Sequence, residues 1–163
     1  MAAAGEIQQV QREYIRLLKD GDKEITRLLT EAYVNISRIL LEAPSDYQTW
    51  YLPQLKEAIA AAMLEMETTA TAAVLGQIDD TWELGTALVD NPLAAEGIAI
   101  AAVVPVVNTA QLQALREFST DKIKEVSTDV INKINSQLSL TVIGSQSVGD
   151  TVSNIESLVS GGR

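Results

Sequence analysis

The chain contains no cysteine and no histidine among its 163 residues. Without histidine the usual general base near neutral pH is missing. Without either residue, zinc fingers, Cys–His nucleophiles, iron–sulfur clusters and disulfides are excluded. Aromatic side chains are also scarce, at 4%, although hydrophobic residues reach 47%, because much of the apolar content is alanine. An alanine-rich, aromatic-poor composition favours closely packed helices over a sheet sandwich. The expected fold class is all-α: an extended helical bundle with one long central helix and a C-terminal helix–cap–helix unit. No enzymatic activity is expected.

Positive charge is in short supply. The formal net charge is −10, which argues against non-specific DNA binding, a mode that needs a basic footprint. Residues 1–43 hold six basic and seven acidic side chains, and residues 109–163 hold five and six. Residues 44–108 hold nine acidic side chains against Lys56 alone. The acidic middle reads first as a solvated helix face. The sharper reading is a docking face for a basic partner, or a wall that repels DNA.

Membrane-targeting signals are equally thin. The N-terminus, Met1-Ala-Ala-Ala-Gly-Glu6, lacks a basic region followed by an apolar one, so no signal peptide is expected. The most apolar stretch, Gly97–Val107, is about half of a bilayer span and is bounded or broken by Glu96 and Pro105. It reads as a buried segment.

What is present is helical periodicity. Ile7, Val10, Tyr14, Leu17 and Leu18 mark one face of a helix over residues 6–20. Gly21-Asp22 follows, either as a stop and a new cap or as a bend in one helix. Ile25, Leu28, Leu29, Ala32, Ile36, Ile39 and Leu40 continue the pattern up to Pro44, which disfavours helix at Ala43. Pro53 suits the first turn of a helix reaching about Val89, roughly 55 Å long at 1.5 Å per residue. Gly76, Gly85 and the threonines Thr68, Thr69 and Thr71 weaken it, so it is expected to kink or to divide near Asp79-Asp80. Asp90-Asn91-Pro92 is expected to end it. Residues 93–107 read as a helix to about Val103 and then an extended passage.

Thr109 begins a short helical turn, and Phe118-Ser119-Thr120-Asp121 looks like the start of a new helix, with Ser119 or Thr120 as cap. That helix carries Ile123, Val126, Val130, Ile131, Ile134 and Leu138, and Gly144 stops it. Ser147-Val-Gly-Asp150 resembles a capping box that opens a last helix faced by Val148, Val152, Ile155 and Leu158. Two regions are therefore expected: a long-helix region over residues 1–92, and a connector with the C-terminal helical unit over residues 93–163, together forming one continuous helical domain.

Few groupings suggest chemistry. Asp79 and Glu83 are four apart with Asp80 adjacent, which could hold a divalent cation loosely, but no Asp/Asn-rich loop accompanies them. Nothing singles out a carboxylate pair for glycoside hydrolysis. Phosphate-binding GxxxxGK[ST] and GxSxG elbow motifs are lacking. No catalytic residue, metal site or cofactor is expected. The aromatics Tyr47, Trp50, Tyr51, Trp82 and Phe118 are the candidate protein-interface residues, because Trp and Tyr are favoured at contact hot spots. Their bland reading is packing of a loop onto the long helix.

The stretch LREFSTDKIKEVSTDVINKINSQLSLTVIGSQSVGDTVSNIESLVSGGR, from Leu115 to Arg163, resembles the head-morphogenesis (minor head protein, phage Mu-type) family of tailed bacteriophages. The resemblance lies in Ser119-Thr120, Ile123, Val126-Ser127-Thr128-Asp129, Ile131, Ile134, Gly144, Ser147, Val152 and Ile155. The alanine-rich long helix before them is similar to the family's N-terminal part. Members usually continue with an Arg-rich segment bearing an RTE-like motif, and this sequence ends before such a segment. It also lacks the ADP-ribosyltransferase extensions of some relatives. The resemblance implies a structural virion protein of few copies at the portal vertex, acting in head assembly or in DNA packaging and delivery. Portal protein, major capsid protein or both are the implied partners, and self-association is left open. The implied location is the capsid interior or portal vertex, after assembly in the host cytoplasm. Sequence-specific nucleic-acid binding and membrane residence are not expected. The rival expectation is a membrane-active ejection protein that uses residues 93–107.

Overall fold

The computed structural model describes residues 2–43, 51–95, 97 and 109–159. They form four helices: α1 (Ala2–Glu42), α2 (Leu52–Ala95), α3 (Thr109–Val142) and α4 (Val148–Val159). No strand occurs among the described residues. The all-α expectation holds, with α2 as the long central helix and α3–α4 as the C-terminal pair. Of the passage 93–107, only residues 93–95 and 97 lie within the described residues.

Two expected breaks in α2 are absent, and the one left open at Gly21 does not form. Gly21 lies inside α1, so the bend-or-stop ambiguity there resolves to one continuous helix. The glycine is explained by a neighbour rather than by a turn. The Gln77 carboxamide occupies the space that a Cβ on residue 21 would need, and its Nε2 donates to the Leu17 carbonyl at 3.4 Å. Asp90-Asn91-Pro92 does not end α2, which runs three residues further with Pro92 inside it. So near a helix end, Pro92 removes one backbone bond without stopping the helix. Nor does α2 divide at Asp79-Asp80. Its threonines return their hydroxyls to the helix's own carbonyls, Thr68 to Leu64 at 2.8 Å and Thr69 to Glu65 at 2.9 Å.

The third correction concerns Ser119-Thr120. α3 begins ten residues earlier, at Thr109, and passes straight through. Thr120 Oγ1 donates back to the Arg116 carbonyl at 2.9 Å, as a threonine does in mid-helix, and caps nothing.

The ends of α3 and α4 form as the sequence indicates. Gly144 has φ +74°. Ser145 N–H reaches the Leu140 carbonyl at 2.9 Å and Gly144 N–H the Thr141 carbonyl at 3.0 Å, the paired bonds of a Schellman motif.

The chain folds into two compact units that interleave along the sequence. Unit 1 comprises Met1–Glu24 with Ala72–Thr120, and unit 2 comprises Ile25–Thr71 with Asp121–Arg163. In unit 2, Leu28, Ala32, Ile36 and Leu40 recur every fourth residue on α1 and are buried. They match Leu55, Ile59 and Met63 on α2, Ile134 and Leu138 on α3, and Ile155 on α4. Eight of these large side chains form one cluster, with Tyr33, Tyr51, Val130 and Val152 packed around it. Fully burying each Ile or Leu contributes about 1.5–3 kcal/mol. Unit 1 is built differently. Among its described residues Val10 is the only fully buried hydrophobic side chain. Polar contacts supplement it: the Gln77–Leu17 bond, and an ion pair between Arg116 and Asp79 at 3.0 Å.

Candidate interaction surfaces

The best-organised polar site joins α3 to α4 in unit 2. The Asp150 amide donates to Ser147 Oγ at 3.1 Å, and the Ser147 amide donates to Asp150 Oδ2 at 3.1 Å. The Ser147 hydroxyl also donates to Asp150 Oδ2, at 2.7 Å. This is the reciprocal capping box read from the sequence, with aspartate in the Glu/Gln place. Those bonds, first from the Ser147 hydroxyl and then from its amide, hold the exposed Asp150 carboxyl below its usual value of 3.8.

Behind the cap lies a network of neutral groups. Gln146 Nε2 donates to the Gln137 carbonyl at 2.9 Å and to Thr151 Oγ1 at 2.9 Å. Asn154 Nδ2 donates to Gln137 Oε1 at 3.0 Å. Thr151 is fully buried, its hydroxyl donates to the Ser147 carbonyl at 2.9 Å, and it also meets the Thr141 hydroxyl. These partners fix α4 on α3.

The acidic residues weighed for a cation are placed otherwise. Asp79 faces Arg116, and both side chains are about two-fifths exposed, so the pair contributes at most about 1 kcal/mol. Among the described residues no three His, Cys, Asp or Glu side chains could hold a metal ion.

The aromatics expected at an interface are distributed. Tyr51 is half-buried against the unit 2 core. Trp82 is half-buried in unit 1, and Phe118, also in unit 1, is 60% exposed. Tyr47 and Trp50 lie outside the described residues.

Two surfaces escaped the sequence reading. Large apolar side chains stand exposed on several helices. Ile15 and Leu18 do so on α1 in unit 1, Leu41 and Leu64 in unit 2, and Ile143 beyond the end of α3. The other surface is a row of cations on α1. Arg12, Arg16, Lys19 and Lys23, spaced four, three and four apart, are all exposed. Their spacing was visible, but the sum over residues 1–43, near zero, hid it. By length and composition alone, Leu52–Ala94 could also cross a membrane: its most apolar 18-residue window has mean hydropathy 1.3 and only 17% of it is buried.

Comparison with protein families, with curated proteins and with solved structures finds no match to the chain.

Proposed function

We propose that the chain is a structural component of a tailed-phage head, a minor head protein that associates with the portal vertex and acts in head assembly or DNA packaging and delivery. The observation that carries this reading is the pattern from Leu115 to Arg163. Its local part, Gly144 followed by the Ser147–Asp150 box and α4, forms a fixed helix–cap–helix unit. The Ser119-Thr120 turn of the resemblance is helical here, so the weight falls on residues 123–158. Exposed apolar side chains such as Leu41, Leu64 and Phe118 supply contact surface for portal or capsid subunits. The polar networks present bind helices together and offer no reacting group.

The test is co-expression with the portal protein of the same phage, followed by purification on a tag on one of them. Co-purification at moderate salt is the expected result, and its absence counts against the portal reading. A second reading, a membrane-active helical protein, draws on the apolar, little-buried helix Leu52–Ala94 rather than on residues 93–107. Glu65 and Glu67 lie within that helix and oppose insertion. Flotation with liposomes and dye release would favour this reading over the first.

A further inference from the structure

We infer that unit 1 carries both halves of a head-to-tail contact between copies of this chain, in which the basic row of α1 from one copy docks on the acidic row of α2 from the next. The basic row is Arg12, Arg16, Lys19 and Lys23, four of the five basic side chains of unit 1. All four are exposed, opposite the buried Val10 side of the helix. Arg16 and Lys23 share Asp20, at 3.6 and 3.8 Å, with both cationic side chains more than three-quarters exposed, so their charge remains at the surface. Ile15, 52% exposed, lies three residues after Arg12 and four before Lys19, and so adds an apolar contact on the same side.

The acidic row lies on α2. Ala72, Gly76, Asp80 and Glu83 are exposed and spaced four, four and three apart, which places them on one face. Asp79 beside it is held by Arg116, and no basic residue occurs between Ala72 and Ala95. A Cβ built on Gly76 would meet nothing within 4 Å, so the backbone there is open to a close neighbour.

Complementary charge, an apolar flank and a side-chain-poor approach all point to a second copy as the occupant. A duplex nucleic acid fits less well, because the same unit carries the acidic row and the whole chain bears −10. A contact between two different faces is heterologous, and it closes into a ring or continues as a filament. The inference stands whether or not the portal is the partner.

The test uses the full chain and two surface variants, Arg12→Gln/Lys19→Gln and Asp80→Asn/Glu83→Asn, each checked for unchanged helix content by circular dichroism. Sedimentation velocity at low salt reads the assembly state. The wild type is expected to pass beyond a dimer as concentration rises, and to return to monomer near 1 M salt, where the screening length is about 3 Å. Each variant alone is expected to remain a monomer. Their equimolar mixture has one intact row of each sign, so it is expected to stop at a one-to-one dimer. A wild type that is monomeric throughout overturns the inference. So does a variant that assembles like the wild type, or a mixture that stays monomeric. Salt-sensitive binding of a DNA duplex by an otherwise monomeric chain, lost on Arg12→Gln/Lys19→Gln, would overturn it too and assign the basic row to nucleic acid.

Discussion

Replacing Ser127 by alanine should stabilise the protein, although the residue is buried in unit 2. Ser127 is 1% exposed, and its Oγ has no hydrogen-bond partner among the described residues. A buried hydroxyl without a partner costs about 1–3 kcal/mol relative to water. Alanine removes that cost and adds about 0.5 kcal/mol of helix propensity. The void left by one oxygen, on the order of 10 Å³, returns only about 0.3 kcal/mol at roughly 24 cal/mol per Å³. The net gain is about 1–3 kcal/mol. The control is Thr151→Val, at a site equally buried but with its hydroxyl bonded to the Ser147 carbonyl and to Gln146. Valine there strands those partners and should cost about 1–3 kcal/mol. Urea unfolding followed at 222 nm reads both changes as midpoint shifts at constant slope. Ser127→Ala shifting the midpoint downward, or both variants moving in the same direction, would refute the reasoning. It would mean that Ser127 Oγ is in fact bonded.

Other outcomes follow from the same packing. Ile36→Ala, at the centre of the unit 2 cluster, should cost about 2–5 kcal/mol, whereas Leu41→Ala, at a residue 70% exposed, should stay within about 0.5 kcal/mol; thermal or urea melts separate them. Gly21→Ala gains about 1 kcal/mol of propensity but displaces the Gln77 amide. It should therefore stabilise a Gln77→Ala background more than the wild type, which a double-mutant cycle measures. Because the folded Asp150 carboxyl titrates below its ordinary value, its contribution is present above 3.8 and is lost as pH falls through the lower folded value. Helix content should accordingly drop in strongly acidic solution by an increment that Asp150→Asn removes, as circular dichroism would show. Amides of residues 5–24 should exchange with deuterium faster than those of residues 28–40 in the same helix, because Val10 alone anchors the described part of unit 1 with a fully buried apolar side chain.

What could be read in the sequence was whatever is encoded locally. The faces Leu28–Leu40, Leu55–Met63 and Ile134–Leu138 repeat at helical spacing, and burial follows them. Gly144 and the Ser147–Asp150 box act within a few residues, so their signals and their structures coincide. The breaks that did not form share a cause. Gly21, Ser119-Thr120 and Asp90-Asn91-Pro92 all carry end-of-helix chemistry, yet the helix on each side continues to be favoured. At Gly21 the reason is Gln77, 56 positions away in the chain, and no local pattern announces it. The pairing of 1–24 with 72–120, and of 25–71 with 121–163, is long-range for the same reason. At the surface, aromatics suggested contact, but Tyr51 went to the unit 2 core. The cation row on α1 needed helical phase, not composition, to be seen.

The interleaving has a consequence for how the chain is made. Residues 1–24 leave the ribosome without their partners, and the 47 residues 25–71 must follow before the stretch that completes their unit begins. At about 5–20 residues per second that is an interval of roughly 2–10 s. The segment 25–71 waits as long for the stretch that starts at Asp121. The sparsely packed unit is complete first, once Thr120 has emerged, and the well-packed one closes only after α4 is out. Until then the apolar sides of α1 and α2 are open to whatever they meet.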